Sequence, residues 1–124
     1  MQKLPETEFE IMQVIWQTND TMSTSQIKEV LDQSRPWNVS ALQTLLNRLI
    51  DRGFLSSYKE GKNRYYTALI AEEDYLSFEN SLFLRKVNHN SLTKLVASLY
   101  QSQSITDEDL DDLVKFIEEK TGGE

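Results

Sequence analysis

The sequence predicts a mainly α fold with one small β-hairpin, and three observations lead there. Apolar residues recur at helical spacing in six stretches, several opened by a cap signal. LSSYK and RYYTA, rich in strand formers, flank EGKN, whose Gly61 suits a turn that needs positive φ. The 124 residues are 39% hydrophobic, which allows one domain, or one small domain with an oligomerisation segment.

The elements follow in order. Thr7 with Glu10 has the spacing of a capping box, and Phe9, Met12, Ile15 and Trp16 continue at helical intervals to about Gln17. Ser23 with Gln26 repeats the box before Ile27, Val30 and Leu31, and Arg35-Pro36 forces the chain out of helix. Asn38 suits the N-cap of a third helix. Its apolar stripe is Val39, Leu42, Leu45, Leu46, Leu49 and Ile50, and Gly53 takes the position after the C-cap. After the hairpin come Tyr75, Phe78 and Leu82, then Leu92, Leu95, Val96 and Leu99, then Leu110, Leu113, Val114 and Ile117. Asn88–Ser91 and Ser102–Thr106 break this run, and Thr106 with Asp109 opens the last helix.

Three short helices and a hairpin are the layout of a winged helix-turn-helix, assigned to residues 1–70, with a helical dimerisation segment over 71–124. In that layout the third helix, about residues 38–52, enters the DNA major groove. Ser40, Gln43, Thr44 and Asn47 fall on its polar face, opposite the leucines. Short uncharged side chains of this kind read base edges, Gln pairing bidentately with adenine. A plain solvated helix also shows such a face, and KEGKNR is also a plain charged turn. What favours DNA is their coincidence with local charge. The net charge is −7, yet residues 1–64 balance eight basic against eight acidic residues, while 65–124 hold five against twelve. From Arg35 to Arg64 there are six basic residues (Arg35, Arg48, Arg52, Lys59, Lys62 and Arg64) against Asp51 and Glu60, the sign that phosphate attraction requires.

Other chemistry is poorly supported. There is no cysteine, which excludes disulfides and thiolate metal sites. No P-loop, G-x-G-x-x-G or G-x-S-x-G is present, and His89, the single histidine, lies in VNHNS without an H-E-x-x-H context. The acids of DEDLDD match no EF-hand loop and read as the solvated, dipole-favoured start of a helix. Trp16 and Trp37 read as structural. The expectation is no enzyme, no cofactor and no metal. With no run long enough to span a bilayer and no secretory signal at MQKLPETEFE, the further expectation is a soluble, cytoplasmic protein with no membrane partner.

LPETEFEIMQVIW, WNVSALQTLLNRLIDRGFL and YKEGKNRYYTALI resemble the penicillinase repressor family of bacterial transcription regulators, the BlaI/MecI/CopY type, over about Leu4 to Lys120. The resemblance implies a homodimeric winged-helix repressor on a dyad-symmetric operator, dimerised by its C-terminal helices. It carries the recognition positions onto Ser40, Ala41, Gln43, Thr44 and Asn47, with Asn38 and Arg48 on the same helix, and the wing onto Lys59, Lys62 and Arg64. Two departures stand out. The copper-responsive branch carries a cysteine-rich tail, absent here. The β-lactam-responsive branch is cut by a regulatory protease at an Asn-Phe bond, and this chain has none, Ser98-Leu99 standing at the matching place.

The apolar stripes Leu92, Leu95, Val96, Leu99 and Leu110, Leu113, Val114, Ile117 independently suit a second copy, or packing back on the first domain. Two further readings stand beside the repressor. One is a winged-helix module that binds protein rather than DNA, distinguished by a weak salt dependence. The other is a regulator whose acidic C-terminal half takes a metal or other ligand, which would raise its melting temperature.

Overall fold

The computed structural model describes residues 1–122. The chain forms two compact units, Met1–Glu79 and Asn80–Glu124. In the first, α1 (Glu6–Thr18) starts at Pro5, whose carbonyl accepts from Phe9 N at 2.9 Å, and no side chain caps it. The expected Thr7 capping box is therefore not formed. Glu10, which the box would send back to the helix start, instead takes Arg35 at 2.7 Å. The helix ends at Asn19, in the left-handed region at φ 54°.

The next two helices begin as their caps require. Ser23 and Gln26 form the reciprocal box that starts α2 (Thr24–Asp32), and Asn38 accepts from Ala41 N to start α3 (Val39–Asp51). Asp32 shapes the connection between them by accepting from both Lys28 and the Trp37 amide. These bonds, the Lys28 one first, hold its carboxyl below the usual range. Past α3, Gly53 at φ 83° takes the chain into β2 (Leu55–Glu60), and Gly61 at φ 64° turns it into β3 (Asn63–Ala68).

The sheet has three strands rather than the two of a simple hairpin. Met22–Ser23, β1, pairs antiparallel with β3, giving the order β1-β3-β2. Helix α4 (Glu72–Val87) opens in the first unit and ends in the second. Its Tyr75 is wholly buried in the first unit, with Phe9, Trp16, Phe54 and Phe78 around it at centroid distances of 5.5–6.1 Å. This is why that unit continues to Glu79, beyond the expected residue 70. The core comprises Ile11, Met12, Ile15, Ile27, Leu42, Leu46, Leu49, Phe54 and Tyr66, each 1% exposed or less. Val39, expected in the same stripe, is 56% exposed. At the first position of α3 it stands where no neighbouring element covers it.

In the second unit, α5 (Leu92–Gln101) is capped by Ser91, and α6 (Asp107–Thr121) by the Thr106–Asp109 box. The turn before α5 holds His89 and Asn90 at positive φ, His89 exposed. Among the described residues none in α5 or α6 is buried, and none of the helices is long and apolar enough to cross a membrane.

Candidate nucleic-acid interface

The leucine face of α3 is fixed in the core, so its other side is set by geometry. Ser40, Ala41, Thr44, Asn47 and Arg48 are exposed there, and Gln43 is half-buried at the edge. These side chains are not all free. Gln43 Nε2 donates to Tyr66 Oη at 3.0 Å and to Asn47 Oδ1 at 3.2 Å. Both amide hydrogens are thus used and Oε1 is left as the open group. A bidentate contact to adenine would require one of these bonds to be released. Thr44 donates to Ser40 O at 3.0 Å, leaving its oxygen as an acceptor. Asn38 Oδ1 is engaged in the cap at 3.0 Å, which gives Asn38 a structural task beside any contact it makes.

The wing follows from the strand register. Tyr66 points into the core, so on β3 Arg64 shares its side of the sheet, and on β2 so do Ser57 and Lys59. Arg64 Nη1 donates to Ser57 Oγ at 3.0 Å. Lys59 and Arg64 are directly opposed across the strands, and with Lys62 beside Gly61 in the turn all three are exposed. On the other face Tyr58 stacks on Tyr65, centroids 5.4 Å apart.

The local basic excess is only partly available. Arg35 is held by Glu10 at 2.7 Å, which raises its pKa, and its guanidinium lies 4.5 Å over the Trp37 ring. Arg52 bonds Glu8, a carboxylate only 1% exposed, at 2.9 Å and reaches Gln2 at 3.1 Å. Arg48, Lys59, Lys62 and Arg64 make no ion pair among the described residues. The structure therefore brings the polar face of α3 and four uncompensated cations into one unit and removes Arg35 and Arg52 from the set. Sequence reasoning missed Tyr66 and Glu8, each of which meets its partner from a distant part of the chain. No cluster of three or more His, Asp or Glu side chains among the described residues could hold a metal ion.

The penicillinase repressor family matches residues 4–119. The penicillinase repressor of Bacillus licheniformis is 30% identical over 122 residues, covering 96% of this chain and 94% of the relative. The methicillin resistance regulatory protein MecI of Mammaliicoccus sciuri is 25% identical over 118 residues, with 95% of each covered. Among solved structures, the DNA binding domain of the repressor BlaI matches with a TM-score of 0.52 at 36% identity, covering 60% of this chain and 94% of that one. The monomeric form of Bacillus licheniformis BlaI in complex with the blaP half-operator matches with a TM-score of 0.50 at 35% identity, covering 60% and 89%.

Proposed function

The chain belongs to the penicillinase repressor family, and we propose that it is a DNA-binding transcriptional repressor acting in the cytoplasm as a homodimer on a dyad-symmetric operator. The first unit binds DNA, α3 lying in the major groove with Ser40, Ala41, Gln43, Thr44 and Asn47 toward base edges and Arg48 toward phosphate. Lys59, Lys62 and Arg64 of the wing hold the backbone. The observation that carries this reading is the opposed pair Lys59 and Arg64, without a carboxylate partner among the described residues. Like charges directly across a sheet are destabilising, and a polyanion offsets that cost.

Residues 71–124 supply the dimer. Leu92, Val114 and Ile117 are 47–55% exposed, and Leu95, Val96, Leu99, Leu110 and Leu113 are only half-covered, as a seam awaiting a second copy would be. A regulatory protease fits this scheme as a partner that removes dimer contacts. Ser98 and Leu99 lie inside α5, so a cut there requires that helix to open locally.

A mobility shift with duplex DNA from the gene's own upstream region, against a tenfold excess of unrelated duplex, tests the proposal. A specific complex that weakens steeply with salt is expected. Absence of a specific shift overturns it.

A further inference from the structure

Val39 opens α3 with 56% of its surface exposed, although its side chain is as apolar as those of the core. One turn on, at i+4, is Gln43, a neighbour on the helix surface, and Gln43 is fixed by Tyr66 and Asn47. A stiff, branched, apolar side chain thus stands at the N-terminal end of α3, directly before the most firmly positioned polar group on that helix.

We propose that Val39 reads a thymine methyl group, beside the base that Gln43 faces. The inference rests on the reading of α3 as the major-groove helix, whose N-terminal residues meet base edges. An isopropyl group neither donates nor accepts a hydrogen bond. Set against a carbonyl or amino edge, it leaves that polar group dehydrated and unpaired. The C5-methyl of thymine is the apolar feature that natural bases offer in the major groove, so contact with it is the selective gain open to Val39. Branching at Cβ restricts χ1, so little rotamer freedom is lost on contact. The fold does not need the valine: Leu42, Leu46 and Leu49 fill the core beneath α3 and are fully buried.

The test uses the full chain. Wild-type protein selects duplexes from a randomised library, and the enriched duplex is then titrated with each thymine in turn replaced by deoxyuridine, which removes the methyl group alone. At one position in each half-site, a single replacement should weaken wild-type binding about fourfold, the value of one buried methyl-sized group. Val39→Ala should bind the two duplexes equally at that position and respond like wild type at every other thymine. Alanine at an exposed helix position keeps the helix, and an unchanged melting curve verifies the fold. If wild-type protein enriches no sequence, the reading of α3 fails and this inference with it. If it enriches one, but no thymine is methyl-sensitive or the sensitivity persists in Val39→Ala, the assignment of Val39 alone is overturned.

Discussion

The phenolic oxygen of Tyr66 accepts from Gln43 Nε2 at 3.0 Å, so a strand residue wholly shielded from water orients a side chain at the edge of the polar side of α3. Tyr66→Phe removes the acceptor and keeps the ring. It should cost about 1 kcal/mol of stability, the net value of one such bond. It should also free one amide hydrogen of Gln43, so that bidentate pairing becomes available and the selected base at that position moves toward adenine. Parallel selections with the two proteins check this, and an unchanged preference would show that Tyr66 does not set the orientation of Gln43.

Gln43→Ala separates base reading from backbone positioning. It should lose about 1 to 3 kcal/mol on the selected operator and little on random duplex. Equal losses on both would assign Gln43 to positioning.

The wing is read through salt. Lys62→Ala should weaken specific and non-specific binding alike and flatten the dependence of log K on log salt by roughly one per phosphate contact, hence two for a dimer. An unchanged slope places the hairpin tip away from the duplex.

What was legible in the sequence was local. The caps at Ser23, Asn38 and Thr106 and the turn at Gly61 depend on side chains within three or four residues of the backbone they satisfy, and each formed as expected. The strand Met22–Ser23 is too short to show alternation, and its Ser23 also serves as the cap of α2. Glu8 with Arg52 and Gln43 with Tyr66 lie 44 and 23 residues apart, beyond any periodicity. The Thr7 box did not form because α1 begins two residues earlier than expected, with Pro5 at the cap and Thr7 already inside the helix. Val39 fits the helical period, yet period gives direction and not depth, and at the helix start nothing covers it. Alternation along β3 sets Arg64 and Tyr66 on one side of the strand, but only the burial of Tyr66 shows that this is the side turned to the core.

Two residues outside the interface should govern stability. Arg52→Met leaves the Glu8 carboxylate, 1% exposed, without its charged donor. The expected cost is about 2 to 3 kcal/mol, below that of a fully buried pair because Arg52 itself is partly in water. Tyr75 gives a pH signature. Burial first, and Glu79 nearby, push its phenol from 10.0 up to about 12, opposed by the Leu4 amide, which donates to it at 2.6 Å. A raised folded pKa means that its contribution is complete below about pH 10. It is lost as pH rises towards 12, because only the unfolded chain ionises in that window. Chemical denaturation across pH 9 to 11 should therefore show a steeper loss of stability in wild type than in Tyr75→Phe, and parallel curves would refute the assignment.

The last prediction concerns the second unit. If α5 and α6 make the dimer, each protomer reads one half-site, with recognition helices roughly 34 Å apart or a multiple of that. The second half-site then binds at the high effective concentration that tethering sets, so a monomer should lose much of the specific affinity while keeping an intact reading face. Leu95 sits in α5, half-covered, on the same stripe as Leu92 and Leu99. Leu95→Asp places a carboxylate in that seam, where it is tolerated in water and costly against a second copy. Because no residue of α5 is buried within the chain among those described, the variant should fold and sediment as a monomer. It should shift operator DNA only at much higher concentration, with the same order of preference among operator variants as wild type. If Leu95→Asp still sediments as a dimer with unaltered operator affinity, α5 is not the interface, and release of DNA by cutting at Ser98-Leu99 loses its physical basis as well.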